Sequence, residues 1–274
     1  MKNFFRLYNN ITEYYDIDKR LKMPWWSGAY LCFAKIIFKS AGKVLLNHIP
    51  QKLTLIDMHV HTKYSYCSFT DIKTLIIKAN DINLDGICIM DHHTIEGYKR
   101  ALDVLDELKS QDLVNKNFLL VPGIEISSKE GHIGALFCTE DIRFKEYSAK
   151  DTVKMIKDMG GISTAVHPCH SSGLGEVTFR TDIDAIEVFS GSILHEEIYR
   201  ENLYVSNLEK FENTAKIAGS DSHFPETVGM CVTAFPEKCL NINDVKRQIN
   251  ERTTIPFDTY FYSKLRANLK MFYR

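Results

Sequence analysis

The chain has 274 residues, 45% of them hydrophobic and 25% charged, which is typical of an ordinary folded domain and unlike a disordered chain. Its net charge is −1, so no overall positive field argues for nucleic-acid binding, and we predict no stable nucleic-acid complex. Seven cysteines without a regular framework, and no recognisable secretion signal, predict a cytoplasmic protein with free thiols. The sequence shows no apolar run of the length that a membrane span needs.

Residues 1–52 differ from the rest and are predicted to form a helical, basic and aromatic extension. The first 50 residues carry eight basic and three acidic side chains. Lys35, Lys39 and Lys43 repeat every four residues among apolar neighbours, which indicates an amphipathic helix with a basic face. Two interpretations stay open: contact with a membrane surface, or packing on the domain or at an oligomer interface, which we favour.

Strand-like and helix-like segments alternate from residue 53 onward. Strands are predicted at 54–58, 87–90, 118–122, 132–138, 162–166, 184–189, 215–218 and 230–235, and helices at 70–82, 95–110, 149–159, 194–214 and 243–251. This alternation predicts an α/β fold with a parallel sheet or barrel. We assign 53–256 to this domain and the aromatic, basic segment 257–274 to a C-terminal helical tail packed on the barrel or on the extension.

His59 and His61 follow an apolar run at the end of the first predicted strand. Side chains two residues apart in a strand point to the same face, so we expect both imidazoles and the carboxylate of Asp57 on one side. Two imidazoles so placed make a ready metal chelate. Two hydrogen-bonded histidines at a strand end would give the same pattern.

Similar polar residues recur where the other predicted strands end or begin. Eight of the ten histidines fall at such positions, and only His48 and His195 do not. In a (β/α) barrel the carboxyl ends of the strands meet at one face, so distant residues converge there. The sequence therefore predicts a metal-ligand cluster at that face. Its candidate members are His59, His61, Asp91, His92, His93, Glu125, His132, His167, His170, Glu187, Asp221 and His223.

With these motifs, the chain resembles the PHP (polymerase and histidinol phosphatase) family of metal-dependent phosphoesterases over about residues 53–236. The resemblance implies a distorted (β/α)7 TIM-like barrel with two or three divalent metal ions (Zn, Mn or Fe) at its mouth. It rests on seven segments in the family's order: 57–62, 90–94, 123–127, the strand opened by His132, 166–168, 185–189 and 219–223.

The resemblance also implies which residues hold the metals. The first two sites would share Glu125 as a bridge. The first would be held by His59, His61, Glu125 and Asp221, and the second by Glu125, His132 and His167. A third would be held by His92 and His223 with a ligand from the loop after His61. Where the family often has Asp or His in that loop, this chain has Cys67, which would be either a thiolate ligand or a bystander.

Other residues receive supporting roles. Asp57 and Asp91 are expected to orient ligating imidazoles, and Glu187 either does the same or is an ordinary acid at a strand end. His170 is a candidate for phosphate contact, and His93 either contacts substrate or caps the following helix.

The implied activity is hydrolysis of a phosphomonoester or phosphodiester by a metal-activated hydroxide. The catalytic candidates are His61, His223 and Asp221, with His223, or His61 if it binds no metal, as the proton donor. A nucleotide or short oligonucleotide is the first substrate expected and histidinol phosphate the second. Two rivals remain: a non-catalytic PHP scaffold in a nucleic-acid-associated assembly, and a metal-dependent hydrolase of a carbon–nitrogen or ester bond.

Overall fold

A computed structural model describes residues 53–142, 147–193 and 196–258. These residues form one nine-stranded sheet with helices packed against it. The strands are β1 (Thr54–Val60), β2 (Gly86–Ile89), β3 (Leu119–Ser127), β4 (His132–Leu136), β5 (Ile162–Ala165), β6 (Ala185–Ser190), β7 (Ala215–Gly219), β8 (Cys231–Phe235) and β9 (Ile255–Asp258). The α-helices are α1 (Ile72–Asp81), α2 (Glu96–Ser110), α3 (Ala149–Asp158), α4 (Glu196–Ser206) and α5 (Ile242–Asn250).

The sheet curls into a nearly closed barrel, as expected for the α/β class. Its strand order is β7-β6-β5-β4-β3-β2-β1-β8-β9. The end of β1 returns to the residues after β7, because Val60 bridges Ser222 in parallel and the His61 N–H donates to the Ser222 carbonyl at 2.9 Å. The carboxyl ends of β1 and β7 therefore meet at one mouth.

The expected barrel is confirmed, and its sheet is mixed and not purely parallel. β4 runs antiparallel to both β3 and β5, and β8 runs antiparallel to β1 and β9. Only residues 128–131 separate β3 from β4, and so short a connection closes a hairpin and not a parallel crossover. The reversal matters for the site, since it puts the first residue of β4, His132, beside Ser127 at the carboxyl end of β3.

The core has an inner and an outer layer. Inside the barrel, Ile56, Met58 and Met90 pack with other fully buried strand side chains. Outside it, the apolar faces of the helices, such as Leu75 of α1 and Leu105 of α2, cover the sheet. Burial of both sheet faces explains why the strands are apolar along nearly their whole length. The polar residues of the sheet are thereby concentrated at its ends.

Two strands carry an irregularity next to the mouth. The register of β1 against β2 slips by one residue between Asp57 and Val60, and that of β6 against β7 slips between Glu187 and Phe189. A bulge of this kind breaks the alternation of side chains and re-aims those beyond it. The alternation that we applied to Asp57, His59 and His61 therefore does not run unbroken through β1.

Two predicted boundaries differ from the structure. The predicted helix 194–214 is shorter: α4 ends at Ser206, where the Ser206 hydroxyl donates to the Asn202 carbonyl, and a 3-10 turn follows at Glu209–Phe211. The first two residues of the predicted tail 257–274 belong to β9, because Phe257 pairs with Val232 of β8. The rest of that tail and the whole extension 1–52 lie outside the described residues. Among the described residues, no helix is long and apolar enough to cross a membrane.

Candidate metal centre

Glu125 of β3 is the centre of the polar cluster at the open end of the barrel. The side chain is 1% exposed, and its two carboxylate oxygens face different groups of histidines. Oε1 lies 2.8 Å from His132 Nδ1 and 3.1 Å from His167 Nε2. Oε2 lies 3.2 Å from His61 Nε2 and 3.6 Å from His59 Nε2. One carboxylate is thus placed to bridge two cation sites.

Asp221, just after β7, completes the group on the Oε2 side. Its Oδ1 lies 3.0 Å from His61 Nε2 and 3.4 Å from His59 Nε2, and those two ring nitrogens are 3.1 Å apart. Asp221 has a φ of 49° and His167 a φ of 29°, conformations that non-glycine residues rarely adopt. Backbone strain of this kind gathers at functional sites, where the surrounding structure holds it in place.

His223 and Cys67 lie further out, at the rim. His223 Nε2 is 3.1 Å from Cys67 Sγ, and His223 Nδ1 lies 2.9 Å from the Asp221 carbonyl oxygen. The ligand atoms of His61, Cys67 and His223 lie within 4.8 Å of one another. The Nε2 of His92 faces Glu125 Oε2 at 3.3 Å, and the expected third set with His92 stays a prediction.

Glu187 of β6 contacts the imidazole of His59 and the backbone of His167. Its Oε1 lies 3.1 Å from His59 Nδ1, and its Oε2 accepts a hydrogen bond from the His167 N–H at 2.7 Å. A carboxylate on the far nitrogen of a ring fixes which nitrogen faces the site and makes that nitrogen a better ligand. Of the two interpretations of Glu187, the contacts favour the orienting one.

Asp91 and Asp57 contact the site differently from each other. Asp91 accepts hydrogen bonds from the Thr62 and Ser65 hydroxyls at 2.6 and 2.9 Å, and Ser65 Oγ lies 3.0 Å from His61 Nδ1. Asp91 therefore reaches a ring through Ser65. Asp57, in contrast, accepts from the backbone N–H groups of Ser220, Gly229 and His59 at 2.8, 2.7 and 3.2 Å. Its expected contact with an imidazole is corrected: Asp57 joins backbone segments, because the β1 bulge separates it from the rings.

His93 and His170 flank the cluster. The His93 ring lies 6.1 Å from that of His92, and its backbone N–H donates to the Glu125 carbonyl at 2.9 Å. The His170 ring lies 5.6 Å from that of His167, and its Nδ1 lies 2.8 Å from Ser172 Oγ. Helix α2 has Ile95 as its N-cap residue, so His93 is not the cap. Both rings are near enough to border a substrate held at the cluster.

The pKa shifts follow from burial and charge. Burial alone would lower the pKa of His61, but hydrogen bonds to Asp221 and Glu125 raise it to about 9. For His59, burial is likewise outweighed by the carboxylates of Asp221, Glu187 and Glu125, and its pKa lies well above the usual value. Burial lowers the pKa of His92 to about 3 despite the attraction of Glu125. The buried carboxylates thus create a potential that strongly attracts a cation between His59 and His61.

The residues present fit a divalent metal. Two groups of four and three ligand atoms share Glu125: His59, His61, Glu125 and Asp221, and Glu125, His132 and His167. The Nε2 atoms of His59 and His61, 3.1 Å apart, can form one hydrogen bond if one of them carries a proton, whereas a divalent cation would accept a lone pair from each. Imidazole and carboxylate donors suit Zn, Mn and Fe alike, so the donor set leaves the metal unnamed.

Sequence reasoning missed two contacts in the loop after β1. Ser65 joins His61 to Asp91, and its Oγ also accepts from the His92 N–H at 3.0 Å. Tyr66 stacks on His92 with ring centroids 4.8 Å apart. Their position in the sequence could have indicated these contacts, because a short loop that directly follows a strand end with metal ligands stays beside the site.

Known proteins resemble this chain in sequence and in structure. The PHP domain family matches residues 57–228, and the family described as PHP-associated matches residues 210–254. The uncharacterized protein MJ1587 of Methanocaldococcus jannaschii is 32% identical over 146 residues, which cover 49% of this chain and 80% of that protein.

Among solved structures, a two-domain protein of Bacteroides vulgatus containing a predicted PHP-like metal-dependent phosphoesterase aligns with a TM-score of 0.58 at 20% identity. The alignment covers 75% of this chain and 64% of that protein, so this chain spans less than two thirds of its length. PsfC of Pseudomonas syringae aligns with a TM-score of 0.54 at 18% identity, over 74% of this chain and 96% of PsfC. Both structural alignments show a similar fold. Because the PHP domain match covers more than half of the sequence, the chain belongs to the PHP family.

Proposed function

We propose that this protein is a metal-dependent phosphoesterase that hydrolyses a phosphomonoester or phosphodiester. The observation that carries the proposal is the position of Glu125, whose Oε1 faces His132 and His167 while its Oε2 faces His59 and His61. A bridging carboxylate between two ligand groups is the arrangement of two-metal hydrolases. Membership of the PHP family supports the same reaction class.

The residues of the cluster would have two kinds of role, metal binding and support of the metal ligands. His59, His61, Glu125 and Asp221 would hold one cation, and Glu125, His132 and His167 the other. Cations bound there would supply a water of lowered pKa and would neutralise phosphate oxygens. Glu187 holds the His59 ring through Nδ1 and leaves Nε2 directed at the cluster. The burial of Glu125 and Asp221 keeps bulk water from screening their charges.

Substrate contacts are assigned to the rings at the edge. His93 and His170 border the cluster, at positions from which they would donate to phosphate oxygens. His223 lies at the rim of the cluster, with its Nε2 3.1 Å from Cys67 Sγ. It would act there either by donating a proton from Nε2 or by holding a further cation together with Cys67.

We propose a nucleotide or short oligonucleotide as the substrate, and the exposed aromatic side chains beside the site support this. Tyr66 is 77% exposed and stacks on His92, and Phe69 in the same loop is 90% exposed. Exposed aromatic rings beside a phosphate site offer stacking faces for a flat ring. Histidinol phosphate, which also carries a flat ring, is the second candidate.

The first experiment joins metal content to ester preference. The full chain, purified without chelator, would be analysed for Zn, Mn and Fe, and assayed on aryl phosphate mono- and diesters with Mn²⁺ or Zn²⁺ added. We expect at least two metals per chain and hydrolysis that is lost in His59→Ala. A protein that stays metal-free and inactive would instead favour the non-catalytic scaffold. Hydrolysis of amides or carboxylic esters alone would favour the carbon–nitrogen or ester hydrolase.

A further inference from the structure

One hydroxyl in the loop after β1 lies within hydrogen-bond distance of three groups of the cluster. Ser65 Oγ is 2.9 Å from Asp91 Oδ1, 3.0 Å from His61 Nδ1 and 3.0 Å from the backbone nitrogen of His92. Ser65 is 3% exposed, and both His61 and Asp91 are fully buried. The hydrogen bonds of this hydroxyl are therefore made inside the protein, where donors and acceptors must match.

Matching donors to acceptors places a hydrogen on one nitrogen of the His61 ring. A serine hydroxyl has one hydrogen and two lone pairs. The carboxylate of Asp91 accepts, so it takes the hydroxyl hydrogen, and the N–H of His92 donates to one lone pair. The other lone pair faces His61 Nδ1, which bonds to it when Nδ1 carries a hydrogen. The lone pair of the neutral ring then lies on Nε2, which is 3.0 Å from Asp221 Oδ1.

Asp91 is held in place from two sides. Its Oδ1 accepts the N–H of Thr62 at 2.7 Å, and its Oδ2 accepts the Thr62 hydroxyl at 2.6 Å. On another side, Gly97 of α2 packs so closely that a Cβ added there would lie 1.9 Å from Asp91 Oδ2. Because the carboxylate is fixed, the direction of the Ser65 hydroxyl hydrogen is fixed with it.

The neighbouring ring of His59 has a different partner. Glu187 Oε1 lies 3.1 Å from His59 Nδ1, so a carboxylate takes the Nδ1 hydrogen of that ring directly. Both rings therefore present Nε2 to the cluster, and these two nitrogens are 3.1 Å apart. His59 is oriented by a charge and His61 by a neutral hydroxyl that stands between the ring and the charge of Asp91.

We infer that Ser65 is a positioning residue that keeps the hydrogen of His61 on Nδ1 and so presents the Nε2 lone pair to a cation. The inference rests on the proposed function in treating His61 as a metal ligand. Through the N–H of His92, the same hydroxyl also joins the residues after β2 to the loop after β1. Removing the partner of a ligating imidazole typically lowers metal affinity about 10- to 100-fold.

Zinc affinity of Ser65→Ala tests the inference. Metal-free full-length protein would be titrated with Zn²⁺ in competition with a chromophoric chelator. We expect one site to bind about tenfold more weakly in Ser65→Ala than in the wild type. Ser206→Ala is the matched control, since Ser206 is also a buried serine and its hydroxyl donates to the Asn202 carbonyl of α4 at 2.6 Å. This control should bind Zn²⁺ as the wild type does.

NMR detects the ring hydrogen directly and needs no variant. In Zn²⁺-loaded wild type, a long-range ¹H–¹⁵N correlation should show His61 with its hydrogen on Nδ1 and the metal on Nε2. In Ser65→Ala the Nδ1 hydrogen should exchange with water faster, because it has lost its acceptor. A serine that only stabilised the fold would leave the choice of ring nitrogen and the zinc affinity unaffected.

Three outcomes would overturn the inference: zinc on Nδ1 of His61 in the wild type, an unchanged zinc affinity in Ser65→Ala, or an equal loss in Ser206→Ala. If Ser65→Ala does not fold, the wild-type spectrum decides. Neither measurement depends on turnover. The expected affinities and spectrum without hydrolysis would therefore defeat only the proposed function. Hydrolysis by an enzyme whose zinc affinity is unchanged in Ser65→Ala would defeat only this inference.

Discussion

The floor and the mouth of the site are built in different ways. The floor, which we define as His59, His61, Glu125, His167 and Asp221, is buried, and three of its members lie on or directly after β1 and β3. The mouth, defined as Tyr66, Cys67, Phe69 and His223, lies in loops and is partly or largely open to solvent.

From this difference we infer separate roles for the floor and the mouth. Hydrogen-bonded strands position side chains more precisely than loops do, so the floor suits the fixed geometry of two bridged cations. Loops position side chains that choose a substrate or a further ion, because they change without disturbing the core. We therefore expect changes in the floor to abolish the reaction and changes in the mouth to alter its selectivity.

The largest effect is expected from Glu125→Gln, which tests whether the two ligand groups of the site depend on one shared carboxylate. The amide keeps the shape but removes the charge that both ligand groups share, so both cations should bind weakly. Turnover should fall by about 10³-fold, as for other groups that act directly on the charge of the transition state. Metal content and kcat would be measured together, with Glu107→Gln on the exposed face of α2 as the control. Retention of both metals would show that Glu125 does not bridge them.

Glu187→Gln should have the next largest effect. It changes a residue that contacts His59 and His167 but leaves every proposed metal ligand of the floor in place. The His59 Nδ1 contact at 3.1 Å would weaken, and the backbone N–H of His167 would lose a charged acceptor. Metal affinity should fall roughly 10- to 100-fold, as is typical for partners of ligating rings. Excess metal should restore most of kcat, which separates this variant from Glu125→Gln. Failure of excess metal to rescue would place Glu187 among the ligands themselves.

The floor was more accessible to sequence reasoning than the mouth. Glu125 and His167 of the floor, and His132 beside them, could be recognised because each was expected near the end or start of a strand, and barrel geometry brings such positions together. The reversal of β4 was missed because the predicted strands 118–122 and 132–138 left nine residues between them, whereas β3 runs on to Ser127 and leaves only the four residues of a hairpin.

Other features could not be derived from pattern alone. The register of β1 slips after Asp57, which accepts hydrogen bonds from the Ser220 and Gly229 N–H groups, and nothing in an apolar run marks where a register will slip. The pairing of Cys67 with His223 joins residues 156 positions apart through a loop whose path depends on tertiary hydrogen bonds. Strand ends can thus be predicted from local sequence, whereas loop contacts depend on the assembled fold.

A moderate effect is expected from Tyr66→Ala, which tests selectivity at the mouth. Loss of a stacking face should raise KM for a nucleotide about tenfold, within the range of about 1–3 kcal/mol measured for stacked bases. KM for an aliphatic phosphate ester and kcat for both should change little. Tyr204→Ala is the control, since Tyr204 is similarly exposed but lies on α4. An equal rise in KM for both esters would mean that Tyr66 supports His92 and does not select substrate.

The smallest effect is expected from Thr70→Val, which loosens the mouth without touching the floor. Its hydroxyl is one of two that donate to the His223 carbonyl, at 2.8 Å, and Ser68 would keep the other bond. Loss of one such bond costs roughly 0.5–1.5 kcal/mol, so alkylation of Cys67 should become about threefold faster. Thr181→Val removes a comparable hydroxyl-to-carbonyl bond elsewhere and should leave that rate unchanged. Because Thr70 contacts none of the floor side chains through this bond, the metal content of the floor should also stay the same. A loss of floor metals in Thr70→Val would mean that the floor and the mouth form one unit.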